Sequence, residues 1–131
     1  MAEANLGYSL LCDDVRLEVG NKLSLMGVFQ NVFLPGFPST VVKFAVVNHW
    51  EGEGDFETQV RVLDPLRKET VISMPGSFSI AAHGHADNIT FFTNVTFTQA
   101  GTHTVQVYLS GKVVSESPLF VHQVQEAGPV H

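Results

Sequence analysis

Apolar and polar residues alternate along this chain over short runs separated by turn residues, and no stretch of ten residues carries a helical period. The clearest run is Asn88 to Thr98, where Ile89, Phe91, Val95 and Phe97 share one face and Thr90, Asn94, Thr96 and Thr98 the other. The alternation predicts a strand with the first set inward. Further strands are expected at Tyr8–Val15, Val41–Trp50, Phe56–Leu63, Thr70–Met74, Thr102–Leu109 and Lys112–Val121, with Ser110-Gly111 as a tight hairpin turn. Gly20–Leu34 (GNKLSLMGVFQNVFL) is apolar on both faces, which predicts a long strand central to a covered sheet or carrying an interface. The expected fold is therefore all-β, an antiparallel sandwich of about seven to nine strands with no substantial helix.

At 131 residues the chain is expected to form one domain over residues 1–122, with a flexible tail over 123–131. Its 13 acidic and 7 basic residues give a net charge of −6, which opposes nucleic-acid and anionic-membrane partners. No apolar run approaches the ~20 residues of a membrane helix, and the acidic start MAEANLGYSLLCDD lacks the basic region of a signal peptide. One cysteine, Cys12, excludes an internal disulfide. These features lead us to expect a cytoplasmic protein.

The stretch Gln99-Ala100-Gly101-Thr102-His103-Thr104-Val105 lies where immunoglobulin-like folds place Gly-x-Tyr-x-Cys at the start of the penultimate strand. His103 replaces the tyrosine, and its ring N–H is expected to bond backbone at that corner. Leu11-Cys12-Asp13-Asp14-Val15, Gly20–Phe29, Phe37-Pro38, Asp64-Pro65 and Ser117-Pro118-Leu119-Phe120-Val121 together resemble a family of small bacterial proteins of unknown function. The resemblance implies an immunoglobulin-like sandwich and carries no activity.

Ligand-type residues concentrate in His83-Gly84-His85-Ala86-Asp87-Asn88. Spaced at i, i+2 and i+4 on an extended segment, His83, His85 and Asp87 point one way and are able to meet one zinc or nickel ion, completed by His49 or His122. The pattern resembles the start of the metallo-β-lactamase motif, but Asn88 stands in place of its last histidine, so hydrolase chemistry is excluded. The bland reading is a polar loop facing water, and no cofactor is expected. Glu51, Glu53, Asp55 and Glu57 read as a solvated hairpin tip, since Val62 stands where a calcium loop needs its last glutamate. Asp13 and Asp14 face opposite sides of a strand, and one is expected to cap a turn or pair with Arg16. Pro75-Gly76-Ser77-Phe78-Ser79 lacks the second glycine of a nucleophile elbow. Cys12 reads as a buried, inert thiol.

What remains is surface. If the strands at Lys22–Leu34 and Asn88–Thr98 share a sheet, Met26, Val28 and Val32 lie near an outward Phe92 and form an apolar patch, with Phe37 at a loop tip as a second contact. The expected function is a non-catalytic module acting through protein–protein contact, with itself as partner or as an assembly subunit. A metal- or small-ligand-binding module at His83, His85 and Asp87 is the alternative.

Overall fold

The structure is a computed structural model that describes residues 2–124. Eight strands follow one another: β1 (Glu3–Glu18), β2 (Lys22–Phe29), β3 (Asn31–Leu34), β4 (Ser39–Leu63), β5 (Glu69–Ile72), β6 (Gly76–Phe97), β7 (Gly101–Leu109) and β8 (Lys112–Gln123). No helix occurs among the described residues, as the alternation required. The expected tail begins inside β8 at Gln123, Val124 N–H donates to the Leu34 carbonyl (2.9 Å), and residues 125–131 lie outside the described part.

The strands form one curled sheet, ordered β2-β1-β4-β7-β8-β3, with β5 and β6 also paired to β4. β4 organises it. Its first half runs between β1 and β6, and its last six residues pair with β7. The acidic glycine-rich stretch from Glu51 to Asp55, expected as a hairpin tip, is paired strand inside β4. The ladder to β6 slips between Gly52 and Gly54. Gly52 has φ of 146°, and a Cβ there would stand 2.0 Å from the Glu3 carbonyl oxygen, so only glycine allows β1 and β4 to approach there.

Curling encloses a core drawn from six strands, including Leu11, Phe44, Val46, Phe92, Phe97, Val105 and Leu119. A second cluster stacks Trp50, Ile80 and Val107, and the Trp50 indole N–H donates to Asn88 Oδ1 (2.7 Å). A third packs Val15, Leu23 and Leu25 against Cys12, Ala45 and Val47. Cys12 is fully buried, and burial with the Asp13 and Asp14 carboxylates pushes its thiol up, away from the reactive thiolate. At the β7–β8 turn Ser110 and Gly111 both have positive φ (49° and 85°), the tight hairpin expected. His103 is buried, its Nδ1–H donates to the Gly101 carbonyl (3.1 Å), and its ring meets Phe97 edge to face.

Three expectations are corrected. Gly20–Leu34 is two strands at opposite margins of the sheet: β2 pairs antiparallel with β1, and β3 pairs with β8. The β3–β8 pairing is parallel, so the sheet is mixed and not purely antiparallel. The inward face of β6 changes along the strand. Val95 and Phe97 are buried as expected, but ahead of them Phe92 is buried at 4% exposure while Phe91 is 48% exposed. Asn94, with φ of 53°, stands between the two phases. Opposite it on β4, Val42 is exposed and Phe44 buried, so the strand pair rolls together and the register stays constant.

Candidate functional site

The segment His83–Asn88, expected as a loop, is strand, and it pairs with β4 so that Asp87 lies opposite His49 and His85 opposite Glu51. On the other flank β1 places Tyr8 opposite His49 and Asn5 opposite Glu51. A register shift between Leu6 and Tyr8 brings Tyr8 into line. Gly7 leaves the room this requires, since a Cβ there would sit 3.1 Å from Cδ2 of His49. The result is a polar ladder across three strands on one face of the sheet.

His49 is its hinge. Its Nδ1–H donates to the Asp87 carboxylate (2.5 Å), and its Nε2 lies 3.3 Å from Nδ1 of His85. Nδ1 of His85 is also 3.6 Å from Glu51 Oε1. Tyr8 stacks on the His49 ring with centroids 5.0 Å apart and planes 7° from parallel, which holds the imidazole in place. Burial and the Asp87 carboxylate push the Tyr8 phenol up, so it stays protonated at neutral pH. Beside the ladder a depression of about 500 Å³ is lined by Glu3, Asn5, Glu51, Glu53, His83 and His85.

Of the residues singled out in sequence, His85 and Asp87 therefore meet, but through His49. His83 lines the depression, and among the described residues the three groups whose ligand atoms converge within 4.8 Å are His49, Glu51 and His85. His122 lies elsewhere, its Nε2–H donating to Asn31 Oδ1 (2.8 Å) and its ring stacked on Phe33. Asp14 pairs with Lys43 (2.9 Å) and accepts from the Val15 N–H, in place of the expected Arg16.

The expected apolar patch is not assembled. Phe92 packs on Phe44 in the main core with ring centroids 5.2 Å apart, and Val32 and Phe37 are half-buried against the same core. Met26 is half-buried and Val28 exposed. A different apolar surface takes its place. Between the Asn88–Thr93 part of β6 and residues 72–77 lies a cleft of about 470 Å³, with Ile72, Met74, Ile89 and Phe91 among its lining. All four are exposed. Asn88–Thr93 pairs with β4 on one side, and no described strand pairs with its other side. Sequence reading missed this surface because it turned Ile89 and Phe91 inward.

Solved structures with a similar fold are parts of much longer chains. A β-glucosidase from Listeria innocua in complex with isofagomine matches with a TM-score of 0.58 at 12% identity, over 95% of this chain and 17% of that one. The alkylpurine DNA glycosylase AlkC of Pseudomonas fluorescens, bound to DNA containing an abasic site analog, matches with a TM-score of 0.59 at 9% identity, over 92% and 31%. Likeness at such identity concerns the fold alone. No match was found among curated proteins. A family model matches residues 7–122, and the chain belongs to that family, DUF6941, a family of unknown function.

Proposed function

We propose that this protein is a non-catalytic β-module that works through protein–protein contact, with a second copy of itself as partner, joined along the open side of β6. The observation that carries this reading is the undefended edge. Strand edges are ordinarily protected from pairing by charge, proline or a covering segment. Asn88–Phe97 reads NITFFTNVTF, with no charged residue and no proline, and Ile89, Phe91 and Met74 stand exposed beside it. Two such edges related by a two-fold axis pair antiparallel, satisfy each other's free N–H and C=O groups and withdraw these side chains from water. Apolar burial of that kind contributes about 1.5–3 kcal/mol per large side chain fully covered.

The immunoglobulin-like character read from the sequence belongs to the same proposal, supported by the His103 corner at the start of β7, and the bacterial character rests on the sequence resemblance alone. A cytoplasmic location is supported by the lone buried thiol of Cys12. Neither the glycosidase nor the DNA-glycosylase activity of the similar structures is carried over, and the net charge of −6 speaks against a DNA partner.

The test is native mass by light scattering, comparing the wild type with Phe91→Asp. The exposed ring of Phe91 makes the substitution harmless to the core, so the variant is expected as a folded monomer and the wild type at twice 14.3 kDa. A monomeric wild type, or a dimer that survives the charge, overturns the reading.

A further inference from the structure

We propose that the outer face of β1, β4 and β6 is a binding site for a divalent first-row transition ion of the zinc kind, held by Nε2 of His49, Nδ1 of His85 and the Glu51 carboxylate. Two imidazoles and a carboxylate form the donor set that such ions prefer over magnesium or calcium.

The spacing of the donors supports it. With metal–nitrogen bonds of about 2.0–2.1 Å, two ligands of a tetrahedral ion lie roughly 3.3–3.4 Å apart. Nε2 of His49 and Nδ1 of His85 are 3.3 Å apart, Glu51 Oε1 is 3.6 Å from the second, and the three donors lie within 4.8 Å of one another, so Glu51 closes in on the ion by a side-chain movement. The fourth position faces solvent, since the His85 and Glu51 side chains are 60% and 58% exposed.

The surroundings act in the same direction. The hydrogen bond from Nδ1 of His49 to Asp87 leaves the lone pair of a neutral ring on Nε2, the atom 3.3 Å from Nδ1 of His85. A carboxylate behind a ligating histidine fixes the tautomer and raises ligand basicity. Tyr8 stacks on the same ring, and all four acid and imidazole groups stand on paired strands, which fixes their separations better than a loop. The His85 ring stacks on the His49 ring, with centroids 5.3 Å apart and planes 25° from parallel, and a turn about its Cβ–Cγ bond out of this stack brings Nδ1 onto the ion.

The experiment is calorimetric titration of zinc chloride into the chelator-stripped protein, purified without a histidine tag. One ion per chain is expected, with affinity lowered at least tenfold by His85→Ala and roughly 10–100-fold by Asp87→Asn. His83→Ala is expected to bind as the wild type does. Cobalt substituted for zinc gives a second readout, the strong visible absorption of a tetrahedral site, lost in His85→Ala. Circular dichroism confirms that this surface variant is folded. No saturable binding, unchanged affinity in His85→Ala, or an equal loss in His83→Ala overturns the proposal. Native mass is expected to be the same with and without zinc, so this site and the β6 contact stand or fall separately.

Discussion

Phe91 and Phe92 are neighbours in sequence, and the structure assigns them opposite roles, which makes the pair a direct probe of how β6 lies. Phe92 is 4% exposed, with its ring centroid 5.2 Å from that of Phe44 in the main core. Truncation to alanine removes most of a buried ring and leaves a cavity that the surrounding strands fill only in part, at a cost of about 3–5 kcal/mol. Phe91 is 48% exposed and carries one specific contact, the Lys43 ammonium 5.0 Å from its ring centroid. A cation–π contact at an exposed site contributes about 0.5–1 kcal/mol, so Phe91→Ala is expected to cost about 1 kcal/mol with the residual apolar area included. The two variants therefore differ by about 2–4 kcal/mol, a large share of the ~5–15 kcal/mol that holds an ordinary domain together. Urea unfolding measures this, followed by fluorescence of Trp50, the sole tryptophan and fully buried, at concentrations where the chain is monomeric. Equal losses, or a larger loss for Phe91→Ala, would refute the assigned facing of β6.

Gly52→Ala is expected to destabilise by about 1–3 kcal/mol, because it strains a φ of 146° and drives a methyl into the Glu3 carbonyl; faster amide exchange at the start of β1 is its signature. Two carboxylates make stability sensitive to acid. The Lys43 ammonium, with the Val15 N–H, holds the Asp14 carboxyl below its ordinary range, and Arg67 with Gln106 does the same for Glu116. A folded value lower than the unfolded one means that the stabilisation is present above the unfolded value and is lost as pH falls through the folded one. Melting temperature should therefore decline below about pH 4.5, and the Asp14→Asn, Glu116→Gln double variant should show a shallower decline; an identical acid limb in both proteins would contradict this.

Strand content was legible because alternation needs only local residues, and Thr102–Leu109 with its Ser110-Gly111 turn fell where expected. Strand length was less legible. Glu51–Asp55 has the composition of a turn, yet pairing with β1 on one side and β6 on the other carries β4 straight through it with a bulge. The facing of Asn88–Thr93 was read backwards because the Phe91-Phe92 pair fits either phase, and the deciding feature is the left-handed Asn94 that separates the phases. The mixed sheet was hidden for a similar reason: the parallel pairing of Asn31–Leu34 with Phe120–Gln123 joins segments nearly ninety residues apart. For the cluster around His49, the spacing singled out two of its members, His85 and Asp87. The partners His49 and Glu51 come from long-range register, which local spacing does not contain.

Amide hydrogen exchange along β6, measured at low and high protein concentration, tests the proposed self-pairing most directly. Amides of Asn88–Thr93 that point away from β4 are free in the single chain and bonded in the pair. They are expected to exchange rapidly in dilute protein and to become protected as concentration rises, while those facing β4 stay protected throughout. Exchange at these positions that is independent of concentration, or protection that develops at β2 or β3 instead, would contradict the account.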